Sequence, residues 1–273
     1  MIYTDHKAFD TIVNNLPVKL YTLKNSTGVK INICNYGARI THFILPKNGN
    51  EIDITLGFNS IEEYIDNNEF YYGVTVGRFA NRIKDGRFVL NNQTYNLEAN
   101  NGGNSLHSGS KAFHNSVWEV LDYSETAIKM KIISPDGQGG FPGQLTCEVV
   151  FTLNDEGELA INYSATTDKD TIVNITNHAY FNLNGEGNGT ILNHNIKIEF
   201  ISASNKLKDF LPKETDGKMD YKQRKKLGIK TCLNFVNTDE RFKEWDTFVN
   251  KHSKKDDLSD CFLQGLWYIK HKI

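Results

Sequence analysis

Between Leu145 and Leu153 every second residue is apolar: Leu145, Cys147, Val149, Phe151 and Leu153. Strict period-two alternation sets one face of an extended chain against a core and the other in water, which helical geometry does not do. Asn154-Asp155-Glu156-Gly157 interrupts the pattern, and Leu159, Ile161 and Tyr163 resume it. This predicts a β-hairpin with a Gly-containing turn. The same logic predicts a hairpin from Phe88 and Leu90 through Asn91-Asn92-Gln93 to Tyr95 and Leu97, and strands over 18–24, 29–34, 117–123, 127–133 and 194–201. Short strands with short polar loops imply antiparallel sheets, not βαβ units.

Helical signals are few. Asn59-Ser60-Ile61-Glu62-Glu63-Tyr64-Ile65 supplies a capping residue, early acids and apolar residues at 61, 64 and 65, which predicts one or two turns. Thr238 to His252 places Phe242, Trp245, Phe248 and Val249 on one face at helical spacing. The charged stretches 205–230 and 251–257 read as solvated loops. No internal repeat appears, which disfavours propellers and solenoids and leaves an all-β, large antiparallel sandwich or barrel.

The chain has 273 residues, 39% hydrophobic and 23% charged, enough for one sizeable core, so a single domain over 1–273 is expected. A net charge of -2 supplies no field for a polyanion, and nucleic acid is not an expected partner. No apolar run approaches the roughly 20 residues that cross a bilayer. The first ten residues include Asp5 and Asp10 where a secretory signal would have a basic start and an apolar stretch. No membrane association and a cytoplasmic location are the expectation. Cys34, Cys147, Cys232 and Cys261 form no CxxC pair and have no His at ligand spacing, which predicts reduced structural thiols and no metal site.

There is no P-loop, no GxGxxG opening a helix, no HExxH and no GxSxG, so any chemistry rests on side chains. Three polar clusters stand out. Gly77-Arg78-Phe79-Ala80-Asn81-Arg82-Ile83 offers forked donors for vicinal hydroxyls or a carboxylate, or else a surface ion pair with a turn Asn. Asn100 to Gly109 is a Gly- and Asn-rich loop with one histidine, His107, which by itself reads as a surface residue as readily as a ligand contact. Asn174 to Leu183 carries His178 among an Asn and two aromatics, suited to a sugar site or to a satisfied core histidine.

The ordered series GRFANRI, NSLHSG, DGQGGFPG (Asp136 to Gly143) and TNHAYFNL resembles the aldose 1-epimerase, or galactose mutarotase, family. The likeness is strongest over 35–195 and thins after 203, where Leu258-Ser259-Asp260-Cys261-Phe262-Leu263 resembles a later family strand. The resemblance implies a large antiparallel β-sandwich, cleft binding of a monosaccharide such as galactose or glucose, and a cofactor-free interconversion of α and β anomers. It assigns the acid to His178, assistance at the ring oxygen to His107, and hydroxyl contacts to Asn81, Arg82 and Asp260. The family's base is a glutamate in a PGE- or SGE-like segment a few dozen residues after that aspartate, whereas Gln264 to Ile273 contains no acid. The expectation is therefore a C-terminally truncated sandwich and a poor mutarotase, with Glu98 or Glu186 as candidate replacements for the base. A non-catalytic sugar-binding or regulatory protein is the alternative. A phosphorylated-sugar epimerase would want further basic residues, and only Arg78 and Arg82 stand in place.

Overall fold

A computed structural model describes residues 4–194, 221–239 and 250. The chain divides into two units, Met1–His194 and Asn195–Ile273. The first carries β1 (Thr11–Val13), β2 (Leu16–Val18), β3 (Leu20–Lys24), β4 (Lys30–Cys34), β5 (Arg39–Lys47), β6 (Asn50–Asp53) and the short helix α1 (Ile61–Asp66). There follow β7 (Thr75–Val76), β8 (Arg82–Ile83), β9 (Arg87–Leu90), β10 (Gln93–Asn96) and β11 (Ser105–Leu106). The unit continues through β12 (Glu119–Tyr123), β13 (Ala127–Ser134), β14 (Leu145–Leu153), β15 (Leu159–Thr167) and β16 (Thr176–Asn177).

Two four-stranded antiparallel sheets, ordered β3-β4-β5-β6 and β12-β13-β14-β15, carry the framework. In β14 the five alternating apolar residues are all buried and the residues between them are not. They share one core with Ile31 and Ile33 of β4, Ile40 of β5 and Met130 of β13, so the two sheets bury their apolar faces against each other. Each such aliphatic or aromatic side chain contributes about 1.5–3 kcal/mol by leaving water. Three hairpins turn through pairs of residues with positive φ: Asn14-Asn15, Asn48-Gly49 and Asn91-Asn92. That is the two-residue geometry whose twist matches the strands, and Asn and Gly tolerate it. The β9–β10 turn is thus one residue shorter than the Asn91-Asn92-Gln93 expected from sequence.

The predicted helical turn forms as α1: Ser60 Oγ accepts from Glu63 N at 3.3 Å, and Glu63 Oε2 accepts from Asn59 N at 3.1 Å. A larger helix corrects the sequence reading. Residues 221–230, expected as loop, open the 18-residue helix α2 (Tyr221–Thr238). Lys, Gln, Arg and Leu are strong helix formers, and a charged run signals exposure, not the lack of regular structure. The molecule is mostly β, not all-β. Of the expected helix over 238–252 only Thr238, Asp239 and Asn250 are described, and the expected strand over 194–201 lies outside the described residues apart from His194.

Two-residue pairings then draw distant loops together. β7 pairs with β16, Thr75 opposite Asn177 and Val76 opposite Thr176, while β8 pairs with β11. At the head of β7, Gly73 adopts φ +65 and its carbonyl accepts from Ile40 N at 2.9 Å and from Asn177 Nδ2 at 2.9 Å. A Cβ there would run into the Ile40 carbonyl oxygen. Gly73→Ala is therefore expected to lower unfolding free energy by about 2 kcal/mol in denaturant titration, and a loss below about 0.5 kcal/mol would contradict this close approach.

Candidate active site

The GRFANRI and NSLHSG loops are laced together atom by atom. Phe79 N donates to Ser108 Oγ at 2.8 Å, Asn81 N donates to His107 Nδ1 at 3.0 Å, and His107 N donates to the Asn81 carbonyl at 3.1 Å. Asn100 extends the arrangement by mimicking a strand: its side chain accepts from Leu106 N at 2.7 Å and donates to Leu106 O at 3.0 Å. The TNHAYFNL segment joins through Asn174, whose backbone carbonyl accepts from Ala80 N at 2.7 Å and whose Nδ2 donates to Ala80 O at 3.1 Å. His178 N in turn donates to Val74 O at 2.9 Å.

These bonds set His107 and His178 side by side, ring centroids 5.2 Å apart and nearly perpendicular at 88°. They line a cleft of about 920 Å³ together with Asn81 and Arg82. Four of the five site residues expected from sequence thus meet in one cavity. The fifth, Asp260, lies outside the described residues, as does Cys261. His107 is only 9% exposed, so it is not the surface histidine that its polar loop taken alone would suggest. Burial, then the neighbouring His178 and Arg82, pulls its pKa down to about 4. It is neutral near pH 7, and because Nδ1 accepts from Asn81 N, its proton is assigned to Nε2. His107 is a hydrogen-bond donor held in one tautomer.

Tyr71, which the sequence reading passed over, is the common neighbour. Its ring lies 4.7 Å from His107, 5.7 Å from His178 and 5.0 Å from His114. It sits at φ 54, a backbone conformation that costs a bulky residue free energy and that no residue pattern reveals. Beneath it His114 is buried with Nδ1 unpartnered, and burial followed by Arg39 lowers its pKa to about 3. At the other end of the cleft Tyr180 packs 5.1 Å from His178 and 5.5 Å from Tyr72, and Tyr72 stacks on Phe70 at 5.3 Å.

Arg78 does something other than its spacing suggested. It is 2% exposed, and its guanidinium donates to Ser134 Oγ and O, Pro135 O and Pro142 O at 2.8–3.0 Å. The DGQGGFPG segment, with Asp136 Oδ1 accepting from Gly143 N at 2.6 Å, is the cradle that holds it. Arg82 is the arginine of the cleft, its Nε 3.0 Å from Asn101 Oδ1. Neither candidate replacement carboxylate lines the cleft, although Glu98 is near enough to Tyr71 to help burial raise the pKa of its phenol. Glu98 Oε2 accepts from Ser110 N and Oγ at 2.7 Å each, and Glu186 Oε1 accepts from Gly57 N at 3.1 Å beside a separate cavity of about 270 Å³. No group of His, Cys, Asp and Glu among the described residues could hold a metal ion. Cys34, Cys147 and Cys232 are buried and form no disulfide, with burial raising the Cys34 thiol to about 11 and Cys147 to about 12.

Two four-stranded antiparallel sheets with a histidine-paired polar cleft at their loops define a class of mostly β proteins. Within it, the Aldose 1-epimerase family profile matches residues 19–258, and the chain belongs to that family. It is 39% identical over 193 residues to galactose mutarotase of Bos taurus, covering 69% of this chain and 56% of that protein. Against aldose 1-epimerase of Escherichia coli K12 it is 36% identical over 183 residues, covering 67% and 52%. Among solved structures, the aldose epimerase homologue from C. elegans superposes with TM-score 0.60 at 32% identity, covering 62% of this chain and 52% of that one. The chain spans about half the length of the curated relatives it matches.

The histidines predict a pH dependence of stability. His42, His107 and His114 all have pKa values lowered, chiefly by burial. The unfolded chain, with ordinary histidines near 6.5, therefore binds more protons than the folded one at mildly acid pH. Stability is expected to be full above about pH 6.5 and to fall as pH drops toward 4, with a shallower slope in His107→Asn. Denaturant titrations at several pH values check this, and a flat profile across that window would contradict the buried neutral state.

Proposed function

We propose that the cleft binds an aldohexose such as galactose or glucose and interconverts its α and β anomers. The observation that carries this is the perpendicular pair His107 and His178 opening onto one cavity with Asn81 and Arg82. Ring opening requires the C1–O5 bond to break, with a proton delivered to O5 as one leaves the anomeric hydroxyl. His178 is the acid in this reading, the role that its place in the TNHAYFNL motif implies. Neutral His107 donates its Nε2 proton as a hydrogen bond to the ring oxygen and steadies the charge that develops there. Arg82 and Asn81 hold the hydroxyls and fix which face of the sugar meets the imidazoles. Membership of the aldose 1-epimerase family supports the reading, and no cofactor is needed for it.

Polarimetry on freshly dissolved α-D-galactose, corrected for spontaneous mutarotation, tests it. His178→Ala is expected to remove about 100- to 10,000-fold of any acceleration while leaving the fold intact. Arg82→Ala is expected to weaken hexose binding by about 10-fold or more, the loss of charge-assisted hydrogen bonds. Acceleration that survives in His178→Ala would remove the acid from this residue. Hexose binding without any acceleration in the parent chain would support the sugar-binding alternative.

A further inference from the structure

Strained backbone gathers at the cleft. Most of the described non-glycine residues with positive φ are Asn or Asp, which tolerate that conformation through local hydrogen bonding. Only two carry an aromatic ring, His107 at φ 53 and Tyr71 at φ 54, and those two rings meet edge to face with centroids 4.7 Å apart. A tyrosine in the left-handed region costs free energy that glycine would not, and such strain persists only where the surroundings over-determine it. Here they do. Tyr71 N donates to Asn68 O at 3.2 Å, and two residues on Gly73 N donates to the carbonyl of His178 at 3.3 Å, so the turn that carries the ring is stitched to the backbone of the histidine.

From that turn the ring is wedged among three imidazoles. It stands edge-on to His107 at 65° and to His114 at 73°, lies tilted to His178 at 34°, and packs against the buried cluster of Val74, Val76 and Ala80. Among the described residues no hydrogen bond reaches its hydroxyl, so the ring makes the contacts. The two imidazoles of the pair are held unequally. His107 is tied through Nδ1 to Asn81 N at 3.0 Å. No hydrogen bond among the described residues fixes the imidazole of His178, and ring contacts with His107, Tyr71 and Tyr180 orient it. We propose that Tyr71 is the positioning residue of this cleft, its ring holding the imidazoles of His107 and His178 perpendicular so that both act on one hexose, an inference that rests on the isomerase reading above. Without the ring, space opens beside His178 and its imidazole is free to turn. A reacting group displaced by about 1 Å costs on the order of 100-fold in rate.

Polarimetry on α-D-galactose supplies kcat and KM, and thermal melting reports the fold. Tyr71→Gly removes the ring at a backbone position that glycine adopts freely, so cooperative unfolding is expected to survive while kcat falls about 100-fold and KM stays within about threefold. Tyr71→Asn, which also tolerates positive φ, is expected to behave alike. Tyr71→Phe restores the ring and is expected to bring kcat back to within about tenfold of the parent. Turnover by Tyr71→Gly and Tyr71→Asn within about threefold of the parent would overturn the positioning role and leave the isomerase reading standing. So would a raised KM with kcat unchanged, a loss as large in Tyr71→Phe, or loss of cooperative unfolding in both Tyr71→Gly and Tyr71→Asn, which point in turn to binding, to the hydroxyl and to a structural support. A parent chain that does not exceed the spontaneous rate would overturn the isomerase reading and this inference with it.

Discussion

The site depends on one short antiparallel pairing, β7 with β16. Two residues on each side bring together segments about a hundred positions apart in the chain. Such a pair is too small to be stable alone, so its rigidity is borrowed. Thr75 is tied to the first sheet through its N–H to Gly37 O and its hydroxyl to Ala38 O, both at 2.9 Å, and Ile40 N reaches back to Gly73 O. The β16 side is locked by Asn177 Nδ2 on Gly73 O and by His178 N on Val74 O. The imidazole of His178 therefore rides on a segment whose backbone position is fixed by the core sheet.

The same polar residue types serve two ends. Arg78 is wholly engaged with Ser134, Pro135 and Pro142, and its charge is satisfied by carbonyl and hydroxyl oxygens. Arg82, four residues on, is exposed at the cleft with one neutral partner, Asn101. The histidines divide likewise: His114 is buried and held neutral under Tyr71, whereas His107 and His178 face the cavity.

Much of the framework was legible in the sequence because strand periodicity is local. The alternation in β14 and β15, the cap on α1 and the hairpin turns each depend on residues within a few positions of one another. The GRFANRI, NSLHSG and TNHAYFNL segments also pointed to residues that the structure brings into one cavity. What was illegible is what tertiary contacts decide. Spacing could not tell that Arg78 turns into the fold and Arg82 out of it, since that depends on the carbonyls of a loop some sixty residues later. Tyr71 sits in a turn without a motif, and only its positive φ and the closing of distant loops give it neighbours. Helix α2 was illegible because a run of charge marks the solvated side of an element and not its absence.

The central claim is that the paired imidazoles are the hexose-contacting surface of the cleft. The most direct measurement is an NMR titration of the protein, its histidines labelled with carbon-13 at Cε1, with galactose as the probe. The account predicts saturable shifts at His107 and His178, a smaller one at His114 transmitted through Tyr71, and none at His6, which bonds Thr22 on a distant surface. Shifts absent from His107 and His178 at saturating sugar, or equal across all histidines, would contradict it.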